Sequence, residues 1–541
     1  MMTVFILTKT TEEEVEPMET PIKTDVIIVG AGPTGLSLAV QLIRYGIDFV
    51  IFDQQEGVTD LSKALVVHAR TLEIYDQVGL AQKALEGGKM FQKAAVMHDG
   101  KIGAHLDFSD FGERLSPFAF GLVFEQSKNE RLLYEYLQHH GKDVWWQTEL
   151  EAVAQDADSV KAVLKAANGE TQTIEAQYLV GCDGASSPTR HLLDLRFVGS
   201  TYPRLFYVAD VDMEFQADES TFYGAFGRDS FVLMFPMQGE KHWRLIGNLP
   251  EYNDQLDREV TYDEIEDKTK QLVQRPLEIT DVHWFSSYKV HTRHAENFSV
   301  GRCFLAGDAA HIHTPAGGQG MNTGIQDAYN LAWKIAFVLS GPAGDSLLES
   351  YNEERLANAK RLLQTTDQVF EVMAGDQWYI QFFRDNILPG LASFVMHFDA
   401  AKEFIFPMVS QIGLNYRDGS LSRHQGDREF KVKAGDRMPY FLVDDSNVYD
   451  KLRAPKFHLI VFSNGEHGYE DLKAELDREY GDRIDFKIML ISPRVTELFG
   501  TTQPFKVLLR PDNYIGLLST DFSLSDLKAY FNRLLQWVLS T

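Results

Sequence analysis

Two glycine-rich stretches, far apart in the chain, hold the residues best suited to chemistry. The first is GAGPTG at 30–35. Gly30, Gly32 and Gly35 there have the G-x-G-x-x-G spacing, directly after the apolar run 25–29. The second is LAGDAAHIHTPAGGQGMN at 305–322. It sets Gly307 and Asp308 at the end of another apolar run, and Gly317, Gly318 and Gly320 ahead of a helical pattern. Both offer main-chain N–H groups where a ligand can come close, because glycine has no Cβ to stand in the way. That suits phosphates or a flat polar ring.

The elements around the first stretch position it. After the strand-like 25–29, Leu36, Ala39, Val40 and Ile43 follow at helical spacing, Gly46 is a stop, and Phe49–Phe52 reads as a second strand ending at Asp53. In this βαβ unit Gly30 permits the tight turn, Gly32 lets the backbone approach a pyrophosphate, and Gly35 allows close helix–strand packing. Pro33 and Thr34 open the helix, whose N-terminus favours negative charge. Asp53 can accept hydrogen bonds from an adenosine ribose, with Gln54 beside it. An acid at this position disfavours a 2′-phosphate, so FAD and NAD remain and NADP at this site does not.

The second stretch separates these two. A nicotinamide dehydrogenase has no use for another strand–Asp–loop–helix, whereas FAD is long enough to need one. Residues 302–306 read as a strand, and Asp308 at its end can bond a ribityl hydroxyl. Residues 321, 325, 328, 331, 335 and 338 give a helical period. The start of that helix would aim N–H groups at the flavin pyrimidine edge, where negative charge grows on reduction.

The totals bound what else the chain does. Its 541 residues require two or three domains, and 44% apolar content supplies ordinary cores. A net charge of −26 argues against a nucleic-acid surface. With only Cys182 and Cys303, a disulfide framework is excluded; both read as buried inert thiols in a reducing cytoplasm. Residues 1–22 read as a solvated tail. No window is long and apolar enough to span a membrane, and no metal centre is expected.

GAGPTG, GCDGASSPTR at 181–190 and LAGDAAHIHTPAGGQGMNTGIQDAYNLAWK at 305–334 resemble, in order and spacing, the three signatures of the single-component (group A) FAD-dependent aromatic hydroxylases, similar to phenol, 4-hydroxybenzoate and aromatic polyketide hydroxylases. The resemblance covers 25 to about 365. It implies an α/β chain: a Rossmann-like FAD-binding domain at 23–196 and 297–373, an inserted mixed or antiparallel substrate sheet at 197–296, a helical connector at 374–435 and a thioredoxin-like α/β domain at 436–541. It implies reduction of FAD by NAD(P)H, O2 addition at flavin C4a and oxygen transfer to a phenolic or polycyclic aromatic substrate. Same-fold alternatives are Baeyer–Villiger, epoxidising or drug-inactivating oxygenases; a non-catalytic FAD-fold binding protein is the alternative of another class.

Residue by residue, the resemblance makes Asp308 the ribityl-binding acid, Pro315 the proline whose backbone lies by the flavin, and Gly318, Gly320, Met321 and Asn322 the pyrimidine-edge loop, with Gly307 before them. His311 and His313 are read as loop structure. In SKALVVHARTLE, 62–73, Lys63 stands where the family has an FAD-reaching Arg, Ala64 follows it, and Leu65 occupies the place of a phenol-hydroxylase catalytic Asp. Arg70 is kept, with a structural role as its alternative. Gln126 resembles a Gln that approaches the flavin linkage. Asp183 assists FAD; Ser186 and Pro188 depart from the family pattern and weaken a nicotinamide role for that loop.

Between 197 and 300 the pattern is alternating strands, with Gly239–Glu240 as a hairpin turn. The strand HWRLIGNLP nominates Arg244 as a catalytic, flavin-contacting residue, a strand-surface charge being the alternative. Tyr223, Met234, Phe235 and Met237 are candidate substrate contacts, sheet core being the alternative for each. No Arg stands where a benzoate carboxylate would be held, so the expected aromatic substrate lacks an essential benzoate. The C-terminal pattern is βαβββα-like, its last helix capped by Ser523 or Ser525; RPDNYIGL within it resembles a family segment of unknown use. That region serves a homodimer contact or caps the fold.

Overall fold

Continuous apolar runs make strands that are buried on both faces, and four such runs, with the short edge strand Val144–Trp145 beside them, build the centre of the molecule. In the computed structural model, which describes residues 21–532 except 61, 63, 99, 228–229, 251–259, 315, 342, 375–404, 427–428 and 466–467, Cys303–Leu305, Tyr178–Gly181, Val26–Val29, Phe49–Phe52 and Val144–Trp145 lie parallel in that order. Ser299–Val300 adds an antiparallel edge. Helices Pro33–Tyr45 and Gly320–Leu339 pack together beside this sheet. The Pro33–Tyr45 helix stops at Gly46, which takes the left-handed conformation expected of it. Ile22 and Lys23 already pair with Ile174 and Glu175, so ordered chain begins inside the segment read as a tail; residues 1–20 lie outside the described residues.

An eight-stranded mixed sheet stands over this core. Its order is His311–Ile312, Leu277–Ala295, Phe197–Phe215, His242–Leu249, Phe231–Pro236, Thr221–Phe226, Lys93–His98, Lys101–Asp107. The turn at Gly239 joins a hairpin as expected. Two features differ from the sequence reading. The two strands at one edge come from 93–107, upstream of the 197–296 segment, and the strand at the other edge, His311–Ile312, from downstream of it. The all-strand reading of 197–300 is also corrected: Tyr262–Val273 is a helix, opened by a Thr261/Glu264 capping box. That box was legible, but strand periodicity on both sides masked it.

The C-terminal unit has a five-stranded sheet ordered Arg423–Gln425, Ile515–Ser519, Phe505–Leu509, Phe457–Ser463, Ile484–Leu490. Helix Pro493–Phe499 corrects the expected order to βαβαββα. The last described helix starts at Ser525 with Leu524 in the cap position; Ser523 Oγ donates to Asp521 and accepts from Ser525 N at 3.3 Å. Among the described residues, no helix is long and apolar enough to cross a membrane.

RPDNYIGL finds a use here. Arg510 donates to Glu354 at 2.5 and 3.0 Å and to Asp512, whose carboxylate accepts from Trp333 Nε1 and whose main-chain oxygen accepts from Arg70. Lys334 and Asn330 also donate to Glu354, each at 2.8 Å. A buried polar network thus locks the C-terminal hairpin onto the Gly320–Leu339 and Ser346–Ala374 helices, and Arg70 is structural.

Candidate functional site: a cleft between two glycine turns and a sheet

Strand Val26–Val29 runs straight into Gly30, and the next helix begins at Pro33 with Gly32 at its cap position and no side-chain cap. The N–H groups of its first turn therefore lack intrahelical acceptors. Asp53 is fixed beside this turn: its carboxylate accepts from Ala31 N at 2.6 Å and Gln55 N at 2.8 Å. Gln54 is exposed. A Cβ built on Gly32 would meet no atom within 4 Å. The protein itself has no need of a glycine there, so the open space before the helix fits a pyrophosphate.

The second turn lies against the first. Asp308, exposed, sits in the short helix Gly307–Ala309 after strand Cys303–Leu305. Thr34 Oγ1 lies 2.3 Å from where a Cβ on Gly307 would be, and equally 2.3 Å from one on Gly324. The two helices cross at that threonine, and Gly307 holds a φ of +62° that favours glycine. The two cradles are thus in contact, as one molecule bridging them requires.

The Gly320–Leu339 helix also opens without a side-chain cap. Asn322 is buried and its side chain is fully engaged: Nδ2 donates to Val66 O and Gly318 O, while Oδ1 accepts from His68 N and Thr71 Oγ1. What Asn322 can still offer a cofactor is its main-chain N–H, beside those of Gly320 and Met321. Nearby, His313 Nε2 and Thr314 Oγ1 are buried without a hydrogen-bond partner among the described residues. His311 is not loop structure. It lies in a strand, buried, with Nε2 2.7 Å from Asp327, which Arg355 also binds. Pro315 and Lys63 lie outside the described residues.

Residues 64–71 pack against the second turn, through His68 N and Val66 O on Asn322 and His68 Nε2 on Gly317 O. Ala64 and Gln126 are joined twice, Ala64 N to Gln126 Oε1 at 3.2 Å and Gln126 N to Ala64 O at 3.1 Å. The Gln126 side chain thereby sets the position of Ala64. His68, which no local sequence signal marks, bonds Gly317 O through Nε2 at 2.8 Å. A carbonyl only accepts, so Nε2 carries the proton, and burial pushes the His68 pKa down to about 4, keeping the ring neutral. His68→Phe should fold but lose about tenfold in FAD affinity, since a buried carbonyl deprived of its donor costs about 1–3 kcal/mol. Fluorescence titration of apoprotein with FAD measures this; equal affinities would remove His68 from the loop's support.

Asp183 accepts from Ser187 Oγ at 2.6 Å and Thr189 N at 2.8 Å, so its carboxylate caps the helix Pro188–Leu192 next to Gly30. Arg190 reaches Ala309 O at 3.0 Å and ties this loop to the second turn. Burial raises both thiols, Cys303 to about 12, so neither is reactive.

Strand alternation sorts the roof. Phe235 and Met237, with Phe222, Leu233 and Ile246, pack on Leu65, Val66 and Val123 of the cleft. Tyr223 and Met234 turn the other way, into the core with Val232, Trp243 and Ile265 of the Tyr262–Val273 helix. The four candidate substrate contacts thus divide between two faces of one sheet, because consecutive residues of a strand point oppositely. Arg244 is fully buried rather than a surface charge. It holds Asp210 with two hydrogen bonds of 2.6 Å and extends Nη1 to 3.5 Å from Ala64 O.

Comparisons with known proteins agree with this geometry. An FAD binding domain matches residues 23–366. The chain is 30% identical to 6-methylpretetramide 4-monooxygenase of Streptomyces rimosus, over 91% of this chain and 90% of that protein. It is 31% identical to pentachlorophenol 4-monooxygenase of Sphingobium chlorophenolicum, over 91% and 93%. The solved anhydrotetracycline hydroxylase OxyS of S. rimosus superposes with a TM-score of 0.72 at 26% identity, covering 95% of this chain and 99% of that one.

Proposed function

The chain belongs to the FAD-dependent aromatic monooxygenase family, and from that premise we propose that it hydroxylates a phenolic or polycyclic aromatic substrate with NAD(P)H as electron donor. One atom of O2 enters the ring and the other leaves as water. The chemistry that FAD supplies when bound is the passage of electrons from nicotinamide to O2. The remaining tasks fall to this chain. Gly32 and the N–H groups of the first turn at Pro33–Gly35 would receive the pyrophosphate, with Gly35 itself packed on Gly30, and Asp53 would hold the ribose; Asp308 would take the ribityl chain, and the N–H groups at Gly318 and Gly320–Asn322 would meet the pyrimidine edge. Ala64, held by Gln126, lines the ring's side.

The observation that carries this reading is the contact between the two glycine turns at Thr34, beneath a sheet face of Phe222, Leu233, Phe235, Met237 and Ile246. That face suits a flat apolar substrate and excludes water from the oxygenation. Arg244, matched by Asp210, adds no free positive charge, which favours a neutral aromatic over a benzoate. We infer the same division of labour as the sequence: 23–196 with 297–373 for FAD, 197–296 for substrate, and a thioredoxin-like C-terminal unit, supported by its βαβαββα order. A homodimer contact through that unit, and residence in the cytoplasm, belong to the same proposal; sedimentation and cell fractionation test them.

The purified protein should be yellow, bleach under anaerobic NADH or NADPH, and oxidise the nicotinamide faster when the right phenol or polycyclic aromatic is present. Mass spectrometry should find a product heavier by one oxygen that retains its aromatic ring. A ring-expanded or epoxide product would replace hydroxylation by another oxygenation, and a flavin that no nicotinamide reduces would remove the proposed donor.

A further inference from the structure

At the rim of the eight-stranded sheet, outside the cleft, three strands bring together a carboxylate and two imidazoles. Asp212 in strand Phe197–Phe215 lies directly opposite His242 in His242–Leu249. On its other side, Asp210 pairs with Trp284 but Val211 with Val282, so His283 is the extra residue of a β-bulge. Bulges re-aim side chains, and this one turns His283 toward Asp212. His242 Nδ1 is 2.9 Å and His283 Nε2 3.0 Å from the same oxygen, Asp212 Oδ1. The two rings stand 4.8 Å apart, and all three donor atoms lie within 4.8 Å of one another.

We propose that Asp212, His242 and His283 form a binding site for a divalent first-row transition ion of the Zn2+ class. A tetrahedral ion about 2.0–2.1 Å from each donor needs donors roughly 3.3 Å apart; the two Asp–His spacings of 2.9 and 3.0 Å are close to this, and the imidazole nitrogens lie within 4.8 Å of each other. The two imidazole nitrogens select Zn2+-like ions over Mg2+ and Ca2+, which want oxygen. Side-chain exposures of 22%, 35% and 43% for His242, Asp212 and His283 leave a path for the ion and a fourth position for water. The acidic chain, at −26, favours a cation. The site would clip three strands two residues along from the Arg244–Asp210 pair. In sequence its members are too far apart to read as a ligand set, and the bulge that completes it has no local signature.

The test is calorimetric titration of Zn2+ into the chelator-treated full chain carrying its flavin. One saturable site is expected, at least about tenfold weaker in His283→Ala and in Asp212→Asn, with flavin content unchanged and no binding of Mg2+. X-ray absorption at the zinc edge should show two imidazoles and light-atom ligands at about 2.0–2.1 Å. Absence of stoichiometric uptake by the wild-type chain, uptake unchanged in both variants, or an edge spectrum without two imidazoles would overturn the site. If Asp212→Asn fails to fold, the wild-type spectrum and His283→Ala, an exposed position, decide it.

Discussion

Gly35→Ala should yield a chain that retains no FAD and folds poorly, whereas Gly32→Ala should fold normally and lose FAD affinity alone. A Cβ on Gly35 would stand 1.9 Å from the carbonyl oxygen of Gly30 and 3.3 Å from Cys182 Cβ. The first neighbour is backbone, so the turn and the helix must separate, at a cost of at least several kcal/mol. At Gly32 nothing lies within 4 Å and the backbone is extended, at φ −74° and ψ −175°. A methyl group there disturbs nothing in the protein and collides only with what binds in front of it. We expect apoprotein stability within about 0.5 kcal/mol of wild type. FAD binding should weaken roughly a hundredfold, equivalent to about 2.8 kcal/mol. Thermal denaturation of apoprotein and flavin titration separate the two effects. If Gly32→Ala bound FAD as the wild type does, the pyrophosphate would not lie there.

Glu354→Gln should cost about 3–5 kcal/mol, because it leaves buried Lys334 without a carboxylate partner and Arg510 with Asp512 alone. Burial opposes ionisation of Glu354, but Arg510 and Lys334 hold it down to about 2. Burial pulls Lys334 down to about 8, since one carboxylate is shared between two cations. The sign for Glu354 follows from its lowered folded value. Its stabilisation is fully present above the ordinary glutamate range and is lost as the pH falls from about 4.5 toward about 2. The wild type should lose stability over that window, and the gap to Glu354→Gln should narrow with it. Denaturant unfolding at pH 7 and at about pH 2.5 measures this. A pH-independent gap would mean that Glu354 acts by packing alone. Since the network joins the C-terminal hairpin to two helices of the FAD-binding region, the variant should also expose the 505–519 strands to proteolysis.

The site was legible to different depths for identifiable reasons. Gly30, Gly32 and Gly35 shape the main chain of one local turn, and the Asp53 carboxylate lies beside that turn, so their spacing along the chain already implies their geometry. The same holds for Gly307, Asp308 and the start of the Gly320–Leu339 helix. The sequence assigns Asn322 to the loop before the helix, and the structure commits its side chain to Val66, Gly318, His68 and Thr71. Those partners come from a segment remote in sequence, and no local rule announces them. His68 was passed over for the same reason.

What the amino-acid order determined alone was the family, the cofactor and the two cradles, because backbone-reading motifs are contiguous and have few alternative meanings. Tertiary structure decided which residues share a surface. Period-two alternation narrows each strand residue to one of two faces, but only sheet pairing and the placement of the Tyr262–Val273 helix show that Phe235 and Met237 look into the cleft while Tyr223 and Met234 look away. Pairing across strands likewise matched Arg244 with Asp210 and brought His283 to Asp212. Such contacts depend on register and bulges, which are set by the whole sheet's packing and leave no mark on the residues nearby in the chain.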